Sequence, residues 1–167
     1  MKYIGSEVVF REIPEEISLA INITNCPIHC PDCHSKILWE DVGDVLDWNE
    51  LDGLIRGNPG ITCVLFMGGD ANLEEIKYLT LAIHTNYPTL KVALYSGNQL
   101  SKLKKKIDIS WFDYIKTGPF IKKFGPLNVK TTNQKLYKVN WLFGSKFLFS
   151  LKNITKKLWN EHNMVVT

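Results

Sequence analysis

The chain has 167 residues and a net charge of +3, with 45% of its residues hydrophobic and 22% charged. That length carries one core-forming domain, and so small a basic excess offers no footing for a nucleic-acid binder, which needs a strongly basic face. No run of about 18 apolar residues exists to span a membrane, and the start, MKYIGSEVVFREIPEE, turns acidic without an apolar signal core, so the chain is expected in the cytoplasm with its thiols reduced.

Residues 17–23, ISLAINI, place Ile17, Leu19, Ile21 and Ile23 at alternate positions and predict a strand. It runs into Asn25-Cys26-Pro27, a loop signal. Asp47 and Glu50 form a capping box, Trp48, Leu51, Leu54 and Ile55 an apolar helical face, and Gly57 a stop. The almost continuously apolar 61–67, ITCVLFM, ahead of Gly68-Gly69, predicts a strand covered on both sides, as in a parallel sheet. Asn72 and Glu75 read as a second capping box, and Leu73, Ile76, Leu79 and Ile83 as a helical stripe to Asn86. LKVALYSG at 90–97 repeats the strand-then-glycine pattern, a Lys-rich helix is expected over 99–106, and FDYIK at 112–116 reads as a fourth strand ending at Thr117-Gly118-Pro119.

Strand, helix, strand, helix, strand means an α/β domain with a mainly parallel sheet. Ligands gather at the C-terminal ends of such strands. Cys26, Gly68-Gly69-Asp70, Ser96-Gly97 and Lys116-Thr117-Gly118 all follow a predicted strand, so four loops should line one mouth. Beyond Gly125 the chain carries no chemical motif. Residues 140–167, rich in Phe, Trp and Lys, are read as an extension packed on a domain of residues 1–139.

Three of the four cysteines fall in Cys26-Pro27-Ile28-His29-Cys30-Pro31-Asp32-Cys33, a C-x3-C-x2-C spacing. In a reducing compartment such a cluster reads as metal binding or catalysis rather than disulfides. Thiolates suit iron–sulfur clusters and zinc. Three ligands on one loop grip three corners of a cubane and leave its fourth iron open. The competing reading is structural zinc in a non-catalytic module, completed by Cys63 or His34. Cys63, inside an apolar run, otherwise reads as a buried inert thiol.

The cysteine spacing after the first predicted strand, together with Phe66-Met67-Gly68-Gly69-Asp70, resembles the radical S-adenosylmethionine superfamily, with Asp70 where Glu is commoner. Cys30-Pro31-Asp32-Cys33-His34, Leu94-Tyr95-Ser96-Gly97, Asp113-Tyr114-Ile115-Lys116-Thr117-Gly118-Pro119-Phe120 and Thr132-Asn133-Gln134-Lys135 follow in order. Together they are similar to the activating proteins of anaerobic ribonucleoside-triphosphate reductase, over roughly residues 1–139. Asp32 stands where many superfamily members carry an aromatic residue, a position on which the activating family does not depend. The resemblance implies a partial (β/α) barrel and two cofactors, a [4Fe-4S] cluster on Cys26, Cys30 and Cys33 and S-adenosylmethionine. It implies reductive cleavage of the latter to a 5′-deoxyadenosyl radical. The implied partners are the large reductase subunit, whose glycine loses a hydrogen atom, and an electron donor such as flavodoxin or ferredoxin. Another radical S-adenosylmethionine enzyme, such as a different glycyl-radical activase or a deazapurine synthase, is the neighbouring alternative.

The resemblance also assigns cofactor contacts, each with a plainer role beside it. Gly68 and Gly69 bring backbone carbonyls to the methionyl ammonium, or are merely a tight turn. Asp70 is left free for a ligand by the Asn72–Glu75 capping box, or is itself a cap. Ser96 bonds the carboxylate or ribose, or makes an ST-turn, and Lys116 pairs with the carboxylate, or is a surface charge. His34 borders the cluster or supports the loop, and His29 is a loop residue without a chemical role. Asp113 reads as structural, Asn133 and Gln134 as rim or turn, and Lys102, Lys104, Lys105 and Lys106 as a solvated helix face.

Overall fold

The alternating and continuous apolar runs become the middle of one eight-stranded sheet. The computed structural model of the protein describes residues 1–142 and 145–159. Its strands are β1 (Lys2–Val9), β2 (Ser18–Ile23), β3 (Asp44–Val45), β4 (Cys63–Met67), β5 (Lys91–Tyr95), β6 (Tyr114–Thr117), β7 (Lys135–Leu142) and β8 (Ser145–Asn153). The helices are α1 (Trp48–Gly57), α2 (Leu73–Asn86) and the single turn α3 (Leu100–Leu103). Among the described residues no helix is long and apolar enough to cross a membrane.

The sheet order is β3-β1-β2-β4-β5-β6-β7-β8. β2, β4, β5 and β6 are parallel neighbours in chain order. β3, β1, β7 and β8 add antiparallel pairings on both flanks. The α/β class therefore stands, but the mainly parallel sheet is corrected to a mixed one, parallel in its four central strands. The flanking strands hid from periodicity. β1 shifts register between Tyr3 and Ser6, which breaks its alternation, and β7 (KLYKVNWL) interleaves lysines with apolar residues. The boundary read at residue 139 falls inside β7, which runs on to Leu142 and pairs with β8, so the described part of the extension continues the sheet.

The two faces of the central strands are covered differently. Leu19, Ile21, Ile23, Val64, Phe66, Val92, Leu94 and Ile115 form one buried cluster with Leu51 and Ile55 of α1, Ile76, Leu79 and Ile83 of α2, and Leu103 of α3. α1, α2 and α3 therefore lie on one face, as expected when consecutive parallel strands are joined by crossovers of one hand. The other face carries the smaller Ala20, Cys63 and Ala93 with Leu65, Tyr114 and Leu136, in one cluster with Ile13 and Ile154.

Helix starts follow local chemistry. The Asp47 carboxylate accepts the Glu50 N–H at 2.9 Å, so the first cap forms as the sequence implies. The second does not. Asn72 makes no side-chain bond to the α2 backbone; its amide donates to the Glu75 carboxylate at 3.1 Å. The helix expected over 99–106 closes after one turn, and the lysines beyond it continue in three-residue turns. Neighbouring like charges there oppose a longer helix.

Candidate functional site

The cysteine loop leaves β2 and is tied back at its base. Asn25 N–H donates to Glu40 O at 2.9 Å, Cys26 N–H to Leu38 O at 2.8 Å, and Thr24 Oγ1 to Val42 O at 2.8 Å. Asn25 and His29, next to Cys26 and Cys30, both hold positive φ, +59° and +48°. Such backbone persists where surroundings enforce it. His29 stacks on Trp39 at 4.9 Å and His34 meets Phe120 at 4.7 Å between ring centroids, so both histidines hold the loop in place. The loop also leans on the next strand end. A Cβ on Gly97 would stand 2.6 Å from Ile28 Cγ1, so only glycine lets Ile28 pack there unmoved.

Cys26, Cys30 and Cys33 are partly buried and free of disulfides. Burial pushes the Cys26 thiol up, while N–H bonds from Ile28 and His29 pull it down. Cys33 Sγ accepts the Ser35 N–H at 3.4 Å. Hydrogen bonds to the sulfurs are one of the means by which a protein tunes an iron–sulfur cluster. Among the described residues no three His, Cys, Asp or Glu side chains are grouped to hold a single ion. A cubane sets each thiolate on a different iron, so its ligands need no such gathering. Cys63 is fully buried at the start of β4, beside Ser18 and Lys91. Cys26 follows the far end of β2, with a strand length between them. Cys63 is thus far from the cysteine loop, and burial pushes its thiol up.

The other strand-end loops do converge. Gly68 N–H donates to Tyr95 O at 3.0 Å, Ser96 N–H to Lys116 O at 2.9 Å, and Gly118 N–H to Asn98 O at 2.8 Å. Gly68 and Gly69 take φ of +103° and +91°. A Cβ would meet Ile23 O at 3.1 Å at Gly68 and Ile76 Cδ1 at 2.9 Å at Gly69, so the turn demands glycine on both conformational and steric grounds.

Asp70 is not left free. Its buried carboxylate accepts the Ser96 hydroxyl, the Gly97 N–H at 2.8 Å and the Asn98 side-chain amide at 2.8 Å. Ser96 Oγ in turn accepts the Asn98 N–H at 3.0 Å, which is the ST-turn. Asp70 and Ser96 therefore spend their polar atoms on fixing the 96–98 loop. Asn98, the third member, escaped the sequence reading. Its signal was present, since Ser-Gly-Asn is turn chemistry.

Lys116 lies in β6 beside Tyr95 of β5. Its ammonium donates to Gly118 O at 2.9 Å and lies 5.8 Å from the Tyr95 ring centroid. Burial pushes it down to about 8, against the pull of Cys30, Asp70, Cys26 and Cys33, so all three thiols lie within its electrostatic reach. Gln134 Nε2 donates to Gly118 O at 3.3 Å and Asn133 Nδ2 to Pro119 O at 2.8 Å. Asn133 Oδ1 stays buried without a partner. Asp113, by contrast, accepts the Val92 N–H at 2.8 Å and is structural, as expected. Two clefts of about 430 Å3 lie elsewhere, one beside Lys104–Asp108 and Phe149, the other between Val45, Trp48 and Tyr78.

A family model described as "4Fe-4S single cluster domain" matches residues 17–165. No curated protein and no solved structure matches the chain.

Proposed function

The chain belongs to the 4Fe-4S single cluster domain family, and on that footing we propose that it is a radical S-adenosylmethionine enzyme of the glycyl-radical activating type. Its partner is then the large subunit of an anaerobic ribonucleoside-triphosphate reductase, and its place the reducing cytoplasm. The carrying observation is the meeting of three partly buried thiols with the Gly68-Gly69 turn and Lys116 at one end of four parallel strands.

The donor set fits the cluster. Cys26, Cys30 and Cys33 would hold it, with amide N–H groups on Cys26 and Cys33 and a lysine in reach. When bound, the cluster supplies one electron that cleaves the sulfonium of S-adenosylmethionine and yields the 5′-deoxyadenosyl radical. The residues of the chain bind and orient. Gly68 and Gly69 present backbone to the methionyl ammonium, where side chains would obstruct. Lys116 pairs with the carboxylate. Asp70 and Ser96 act through the loop they fix. The partial (β/α) barrel is supported by the sequential order of β2, β4, β5 and β6, with α1, α2 and α3 on one face and Ala20, Cys63 and Ala93 on the other.

The test is anaerobic reconstitution with iron and sulfide, followed by EPR of the reduced protein before and after S-adenosylmethionine. About four irons per chain, a spectrum that shifts on addition, and a glycyl radical appearing on the reductase subunit are expected. Zinc in place of iron, or a cluster indifferent to S-adenosylmethionine, would overturn the reading.

A further inference from the structure

Gln134 stands just ahead of β7 and is buried, only 5% exposed. Its own N–H donates to Thr132 Oγ1 at 3.2 Å, which fixes the turn that carries it. Its side-chain Nε2 donates to Gly118 O at 3.3 Å, and the Lys116 ammonium donates to the same oxygen at 2.9 Å. Gly118 is buried as well, and its N–H is taken by Asn98 O at 2.8 Å. The Gly118 turn packs directly on the 133–134 backbone, with Asn133 O and Gln134 Cα each 3.5 Å from where a Cβ would stand. One buried carbonyl thus receives two donors, one charged and one neutral.

A carbonyl oxygen has two lone pairs and can accept both donors. They differ in what else they can find. The ammonium has three N–H groups, and among the described residues no carboxylate forms an ion pair with Lys116. Burial disfavours its charge, and a carbonyl and the Tyr95 ring are weak company for it. An anion entering the site is a stronger partner. Gly118 lies two residues beyond Lys116, so the present bond folds the lysine back over its own strand end. Reaching a ligand beside the cysteine loop means extending the side chain and giving that bond up. A buried carbonyl left without any donor would then oppose binding. The neutral Gln134 amide gains nothing from the anion and stays where it is.

We propose that Gln134 is a positioning residue, which keeps Gly118 O partnered while the Lys116 ammonium moves from that oxygen to the carboxylate of bound S-adenosylmethionine. The inference rests on the reading of Lys116 given above and deepens it by assigning the residue that lets the lysine move. On binding, one N–H···O bond to Gly118 breaks and one to the carboxylate forms. The Gln134 amide, at 3.3 Å the longer of the two contacts, then holds the oxygen alone. No proton changes place and no covalent bond is touched. Asn133 takes no part, since its amide serves the next carbonyl, Pro119 O, at 2.8 Å.

The test uses the reconstituted protein and its Gln134→Met, Lys116→Met and doubly substituted variants. Iron content and thermal midpoint are measured first, without ligand, and S-adenosylmethionine is then titrated calorimetrically. Methionine keeps the length of either side chain and removes its strong donors. Gln134→Met should load iron and melt as the unaltered protein does, because Lys116 still partners Gly118 O, yet bind S-adenosylmethionine roughly ten-fold more weakly. In the Lys116→Met background the same change should leave affinity where Lys116→Met alone puts it, since no ammonium then departs. The double variant should instead melt lower than either single one, by roughly 3 °C or more, because Gly118 O is orphaned with or without ligand. Unchanged affinity in Gln134→Met, a loss that follows its iron content, or midpoints that add across the two substitutions would each overturn the proposal. An unaltered protein that loads iron but does not bind S-adenosylmethionine would bring down the reading of the site itself, and shows before any variant is made.

Discussion

At the C-terminal ends of β2, β4, β5 and β6 stand three thiols, a lysine and an aspartate. At the N-terminal ends of the same strands stand a thiol, a lysine and a glutamate. The lower group is closed. Glu16 is buried, and its carboxylate accepts the Tyr114 hydroxyl at 2.8 Å, the Thr62 hydroxyl at 2.7 Å and the Lys91 ammonium. Cys63 beside it has no exposed surface. The upper group is closed only in part: Asp70 is taken up by Ser96, Gly97 and Asn98 and Lys116 donates to Gly118 O, while the three cysteines are only partly buried and Asn133 Oδ1 has no partner. Similar residue types thus serve stability where their atoms satisfy one another and remain available for chemistry where they do not.

The contrast breaks most sharply at the cysteines. Cys30→Ser should drop the iron content after reconstitution from about four per chain to less than one, with loss of any response to S-adenosylmethionine. Cys63→Ser should keep the iron and cost only stability, because a hydroxyl replaces a buried thiol, by about 1–2 kcal/mol in urea denaturation. Equal iron loss in both variants would erase the distinction between the two ends.

A smaller effect sharpens how the upper end is held. Gly97→Ala drives a methyl into Ile28 and should cost about 1–3 kcal/mol while lowering cluster occupancy. Adding Ile28→Ala to that variant should restore occupancy, since the clash then disappears. A double variant no better loaded than Gly97→Ala alone would show that the cysteine loop does not depend on this contact.

The smallest effect concerns the lower end. Burial raises Glu16, but hydrogen bonds from Lys91, Thr62 and Tyr114 outweigh it and hold the carboxyl below its ordinary 4.5. A carboxylate with a depressed folded value contributes its full stability above the unfolded value, near 4.5, and loses it as pH falls through the folded one. Glu16→Gln should therefore lower stability by about 1–2 kcal/mol at neutral pH and flatten the loss below pH 4.5, with iron content unchanged. A variant whose acid limb matches the unaltered protein would remove Glu16 from that role.

Much of the site could be read in advance because its signals are local. The C-x3-C-x2-C loop, the Gly68-Gly69 turn and the strand ends at Ser96 and Lys116 each occupy a few consecutive residues, and the C-terminal ends of parallel strands all face one way. The surroundings of Asp70 were not legible, for the opposite reason. Its partners lie 26 to 28 residues away, and the Asn72–Glu75 pair that was to free it bonds side chain to side chain.

By itself the sequence determined the α/β class, the central strands, the three clustered cysteines and the buried Cys63, because apolar period, turn residues and ligand spacing act over short stretches of chain. Tertiary structure alone decided the mixed character of the sheet, the continuation of β7 past residue 139, the capture of Asp70 by Ser96, Gly97 and Asn98, and the seat of Ile28 on Gly97. Those outcomes depend on which distant segments meet, and a hydrogen bond or a close contact goes to whichever group folding brings within reach.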